Sequence, residues 1–236
     1  MTEESDVSEI LQPVSDLSVR RLAAPAARPA ITTVAAAVEA MSPRRYRAFG
    51  NRKVADFKRS NFEAIARSVA DMAKFESGQL RALGQLWLTK VAGDGVRTDF
   101  GLVSCRVVTN AGVNYIVDAW QNLVELEDMR YHGVGTGTTA EAATQTALVT
   151  ELTTQYSTSN SRPQGTLGEQ SGVANAFESS ATITVSAGVA ITEHGLFSRA
   201  ATGGGVLMDR SVFAAINLAS GESLQATWRL TFPSGG

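Results

Sequence analysis

His132 and His194 are the only two histidines in the chain. Either would need a nucleophile and an orienting acid beside it to drive acyl transfer. No serine sits in a GxSxG turn, the strand-to-helix elbow that would present a nucleophile. The two residues therefore read as structural histidines. Cys105 is the single cysteine, which excludes an internal disulfide and a cysteine-based metal cluster. Glu125, Glu127 and Asp128 cluster at a spacing typical of a solvated turn, and there is no HExxH or EF-hand loop. No metal and no cofactor is expected. GVGTGTTA (133–140) has the glycines of a phosphate loop but not the lysine that a Walker loop places after its last glycine, so it reads as a tight turn.

The basic stretch PRRYRAFGNRKVADFKR (43–59) is the remaining candidate for an interaction site. Arg44, Arg45, Arg47, Arg52, Lys53, Lys58 and Arg59 could neutralise phosphates, with Tyr46 and Phe49 stacking on bases. The same charges suit an acidic face on a neighbouring subunit, and protein contact is favoured over nucleic acid. Charge is segregated along the chain. Residues 1–17 carry five acids and no base, residues 18–90 a net +9, and residues 91–236 a net −6 with no lysine. Such segregation implies a division of labour along the chain.

The elements that must carry these residues follow from pattern. Residues 1–52 carry little apolar periodicity and read as an extended arm that orders against a neighbouring subunit or against its own domain. Deleting them should leave the rest folded. Residues 53–92 form a basic helical segment, with apolar residues at helical spacing over 54–83. QLWLT (85–89) continues that helix or begins a strand. LVSCRVV (102–108) alternates and is β-branched, so it is a strand. NAGVNYIVDAW (110–120) is a short helix capped by Thr109 or Asn110, with Val113, Ile116, Val117 and Trp120 on one side. LEDMRYHGVG (126–135) reads as a strand and ALVTEL (147–152) as a helical turn. Five further strand segments, separated by turn residues, complete residues 93–236. The predicted fold is α+β: an extended amino-terminal arm and a helical segment, then a mostly antiparallel, β-sandwich-like domain. No apolar run is long enough to cross a bilayer, and the acidic amino terminus lacks the order of a signal peptide. Synthesis and assembly in a cytoplasm are expected.

The carboxy-terminal motifs resemble a known family. YHGVGTGTTAEAATQTALVTEL (131–152), ITEHGLF (191–197), the strand around GVLMDRSVF (205–213) and the final SLQATWRLTF (223–232) are similar to a family of small structural proteins of tailed bacteriophages. RVVTNAGVNYIVDAW (106–120) also fits, so the likeness covers about half the chain. The resemblance implies a non-enzymatic virion component with other virion proteins as partners, the major capsid or tail subunits, and self-association. A head-associated role, as capsid decoration (cement) or head fibre, is the first expectation. A tail, baseplate or fibre-attachment role is the alternative. Nucleic-acid binding through 43–59 is a further one, and no membrane is expected. Within these motifs Ile191, Leu196 and Phe197 should fill a core with Val206, Leu207, Val212 and Phe213 opposite, and Trp228, Leu230 and Phe232 should bury together.

Overall fold

The computed structural model describes residues 31–48, 50–77, 82–157, 159–169 and 175–232. Helices α1 (Val34–Met41), α2 (Pro43–Ala48), α3 (Arg52–Ser60) and α4 (Phe62–Glu76) lead into strands β1 (Leu83–Val91) and β2 (Arg97–Val107). Helix α5 (Asn110–Trp120) and a 3-10 turn (Leu126–Asp128) follow. Strands β3 (Tyr131–Gly135), β4 (Thr166–Glu169), β5 (Ala176–Thr184), β6 (Val189–Phe197), β7 (Leu207–Leu218) and β8 (Ser223–Thr231) complete the chain. The strands form two antiparallel sheets, in the orders β2-β1-β8-β5-β4 and β3-β6-β7. The expected α+β fold with mostly antiparallel sheet is what the chain adopts.

The sheets share one core. Leu86, Leu88, Ala226, Trp228 and Leu230 of the larger sheet meet Ile191, Leu196, Phe213 and Ile216 of the smaller. Alternation explains this: on β8, Leu224, Ala226, Trp228 and Leu230 fall on one face. The opposite face of β1–β2 (Leu83, Trp87, Leu102, Cys105) is covered by Ala37, Met41, Met72 and Phe75 of α1 and α4. Phe197 and Leu207 point to the outer face of the small sheet and pack with Leu148. Ile191, Leu196, Phe197, Leu207, Val212, Phe213, Trp228 and Leu230 are buried as expected, and Val206 and Phe232 half-buried.

Several elements differ from expectation. The described part of the expected arm holds α1 and α2, and residues 1–30 lie outside the described residues. Thr33 caps α1 by accepting from Ala36 N–H. Because Ala37 and Met41 are fully buried, a cut at residue 52 would open the core rather than spare it. The helical stretch from 54 breaks at Asn61, whose side-chain Oδ1 accepts from Ala214 N–H of β7 at 2.8 Å. The expected helical segment 53–92 ends in strand β1, which lies between β2 and β8. Only 131–135 of the expected strand 126–135 is strand, and 147–152 is not a helical turn.

Candidate functional site: a clasp, a polar core and an apolar socket

The glycine loop and the ITEHGLF strand meet at one carboxylate. Glu193 of β6 is fully buried. Its Oε1 accepts from Gly137 N–H at 3.0 Å and Thr150 N–H at 2.8 Å, and its Oε2 from Val149 N–H at 3.1 Å. The Arg210 guanidinium on β7 donates to Oε2 at 2.7 Å. Residues 136–150 therefore wrap around a single buried anion, whose charge is neutralised by one buried cation. The glycines follow from this closeness. A Cβ on Gly137 would stand 2.6 Å from Glu193 Oε1, and one on Gly135 would collide with Glu193 and the Thr150 carbonyl. Amides 149 and 150 point at Glu193, which is why 147–152 forms no helical turn. A second buried pair closes the loop's far end: Arg162 grips Glu151 at 2.5 and 2.9 Å and lies 3.4 Å over the Phe197 ring. The loop that superficially resembles a phosphate cradle is filled by the chain's own carboxylate.

The histidines lie neither apart nor on the surface. His132 of β3 and His194 of β6 are both fully buried, and His132 Nδ1 faces His194 Nε2 at 3.0 Å. His132 Nε2 faces Ser179 Oγ of β5 at 2.9 Å. A serine, a base and a third ring in line have the outline of a nucleophilic relay. The chemistry does not follow, for two reasons. Ser179 is fully buried too, and none of the three cavities described below is lined by it or by either histidine. The third member is an imidazole, not a carboxylate. Burial pushes the His132 pKa down to about 3, and burial together with His132 holds His194 well below the ordinary value. Both rings are neutral at pH 7; they link β3 to β6 within the small sheet, and His132 alone reaches the larger sheet, through Ser179. Nearby in the interior, burial pushes the Asp209 carboxyl up to about 7.

The basic segment divides. Arg44, Arg45, Arg47, Arg52, Lys53 and Arg59 are exposed, with Arg45 3.7 Å from Glu39 and Arg59 2.9 Å from Asp56. Lys58 is not a surface contact, contrary to expectation. It is fully buried, donates to the Leu102 carbonyl of β2, and has Nζ 5.5 Å over the Tyr46 ring. Burial lowers its pKa to about 7 against the opposing pull of Asp99. Tyr46 is half-buried with its hydroxyl against the Ala40 and Phe100 carbonyls, so it is not displayed for stacking on a base. Phe49 lies outside the described residues.

Cavities among the described residues include three that open to the surface. A charged cleft of about 400 Å³ between α4, β2 and the 136–146 loop holds Arg67, Asp71, Lys74, Arg106, Glu141 and Arg210. Its charges are cross-paired, Arg67 to Glu141 at 2.9 Å and Arg106 to Asp71 at 3.0 Å. A second cavity, of about 500 Å³, is an open groove along β4 that includes Leu167 and Phe232. The third is an apolar socket of about 290 Å³, walled by Ile116, Met129, Phe177, Met208, Trp228 and Phe232 with Trp120 at its mouth. Sequence reasoning placed Val113, Ile116, Val117 and Trp120 together on α5, yet only Ile116 of these is buried. Val113, Val117 and Trp120 form an uncovered apolar stripe, with Trp120 74% exposed and Leu123 just beyond it 68% exposed. Among the described residues no group of three or more His, Cys, Asp or Glu could hold a metal ion, and no helix is long and apolar enough to cross a membrane. No protein-family model, curated protein or solved structure matches the chain.

Proposed function

We propose that this chain is a non-enzymatic structural component of a tailed-phage particle, head-associated as capsid decoration or head fibre, which joins neighbouring subunits. The observation that carries the reading is the Glu193 clasp. The glycine motif and the ITEHGLF motif, by which the chain resembles phage structural proteins, are occupied in holding a loop onto a sheet. The Ser179–His132–His194 alignment, which has the outline of a catalytic relay, is buried in the core. An uncovered apolar stripe on α5 supplies the kind of surface by which subunits bind. Exposed bases in 44–59 and acids on the later half favour a copy that lies with its basic face on an acidic lattice. A tail or baseplate position uses the same surfaces.

Copy number in purified particles tests this. Quantitative mass spectrometry against the major capsid protein should give on the order of hundreds of copies for a shell protein, as closed symmetry requires. A small multiple of three or six moves it to the tail or a vertex. Absence from particles, or turnover of any substrate by the purified chain, sinks the proposal. Nucleic-acid binding is favoured only by the exposed arginines. It requires an affinity that falls steeply with salt and disappears when Arg44, Arg45 and Arg47 become Ala.

A further inference from the structure

We propose that copies of this chain associate head to tail, the exposed Phe62 of one copy entering the apolar socket beside Trp120 of the next. Two uncovered aromatic features support it. Phe62 opens α4 at the α3–α4 corner and is 73% exposed, although it is a large apolar side chain at a helix start. The socket has walls of Ile116, Phe177, Met208 and Trp228 and a mouth carrying Trp120, large enough at about 290 Å³ to take a ring. The two lie apart on the molecule. Met208 lines the socket, and Ala214 N–H bonds to Asn61 beside Phe62. Six residues of β7 separate them, about 20 Å in a strand. A copy therefore cannot fill its own socket with its own Phe62, whereas a second copy can.

Charge decides the polarity of the contact. Residues 107–129 around the socket carry Asp118, Glu125, Glu127 and Asp128 and no Lys or Arg. The three glutamates and aspartates at 125–128 are exposed, and none of the four has an ion pair within the chain among the described residues. The helices around Phe62 expose Arg44, Arg45, Arg47, Arg52, Lys53 and Arg59 against Glu39, Asp56 and Glu63, so bases outnumber acids two to one. Arg44, Arg47, Arg52 and Lys53 have no ion pair within the chain among the described residues. A two-fold contact of α5 stripe on α5 stripe would bring eight acids together. Socket against the Phe62 corner instead sets acids beside bases and a ring into an apolar hollow. Such an interface is heterologous, so it propagates into rings or rows. It is independent of the virion reading, since self-association of the purified chain is measurable without any particle.

Sedimentation velocity on the full chain, over a concentration series at low and high salt, tests it. The wild-type chain should form oligomers that weaken as salt rises. Phe62→Ala should raise the dissociation constant at least about thirtyfold, the loss expected for an aromatic anchor. Phe62→Glu and Trp120→Glu should each be monomeric where the wild type is assembled. Both sites are exposed, so unchanged circular dichroism and Tm should confirm intact folding. An equimolar mixture of the two variants is the decisive arm: one intact Phe62 corner and one intact socket should yield a one-to-one dimer that grows no further. A mixture that stays monomeric overturns the head-to-tail pairing. So does a wild-type chain that is monomeric throughout, as expected if its own residues 1–30 cover the socket, and so do variants that assemble like the wild type.

Discussion

Replacing Glu193 by Ala would leave three backbone N–H groups and the Arg210 guanidinium without their acceptor in a site where both side chains are at most 1% exposed. Breaking a buried ion pair from one side costs about 3–5 kcal/mol, because the surviving charge stays desolvated. The three amides add to that only so far as water fails to reach them, so about 4 kcal/mol is the expected net loss. For a chain of this size each kcal/mol lowers Tm by about 2–4 °C, which predicts a fall of about 8–16 °C. Urea unfolding of the wild type, Glu193→Ala, Arg210→Met and the double variant forms a thermodynamic cycle. The singles should each be costly and the double clearly less costly than their sum, since removing both charges leaves neither stranded. Hydrogen exchange supplies a local readout: the amides of Gly137, Val149 and Thr150 should be protected in the wild type and exchange fast in Glu193→Ala. A loss under about 1 kcal/mol, or unchanged protection at those amides, would refute the clasp as the organiser of the loop.

Four further outcomes follow from the interior. Gly137→Ala should destabilise about as much as Glu193→Ala, because its Cβ would stand 2.6 Å from the carboxylate, and thermal melts report it. Lys58 has a folded pKa of about 7 against 10.5 for the ordinary side chain, so between these values the unfolded chain binds the extra proton and stability rises with pH. Lys58→Met should remove that alkaline rise, on the order of 5 kcal/mol, and a wild-type curve that is flat from pH 7 to 10.5 would contradict the buried amine. His132 is held at about 3 and His194 low, so the unfolded chain takes up protons first as pH falls below 6.5, and stability is lost towards about pH 3. Asp209, raised from 3.8 to about 7, works in the opposite sense, and Asp209→Asn should steepen the acid loss measured by urea midpoints.

What the sequence displayed and what it hid divide along sequence separation. Strands β5 to β8 were legible because alternation and turn residues are local signals, and so was α5, where Thr109 caps by accepting from Gly112 N–H at 2.9 Å. Lys58 sits among surface bases in the sequence, and its destination, the Leu102 carbonyl, is 44 residues away. His132 and His194 meet across 62 residues. Helix α1, rich in alanine, has little stripe of its own and gains its stability from packing against Leu83 and Trp87. The four apolar positions of α5 were recognised, but their periodicity gave no sign that three of them face outward. The missing clue was charge: a helix flanked by four acids, with no base from 107 to 129, is one that keeps a face for something other than its own core.

The strand edges bear on how copies of such a chain can join. A sandwich that assembles by strand addition needs an open edge. Here β2 is covered by helical side chains: Ser68 accepts from Cys105 N–H at 3.0 Å, and Lys58 donates to the Leu102 carbonyl. On β7, Glu141 takes the Val212 N–H at 2.7 Å, Asn61 takes the Ala214 N–H, and Thr109 donates to the Leu207 carbonyl at 2.6 Å. The free side of β3 is bridged by Gln164 and Glu151. These side-chain caps and bridges occupy edge backbone atoms that an added strand would need. Only β4, four residues long, carries no such cap among the described residues. Lateral growth by sheet extension is therefore closed off along the long strands. Association then falls to side chains, and the exposed aromatic ones among the described residues are Phe62, beside the Asn61–Ala214 contact, and Trp120, at the socket that Met208 lines.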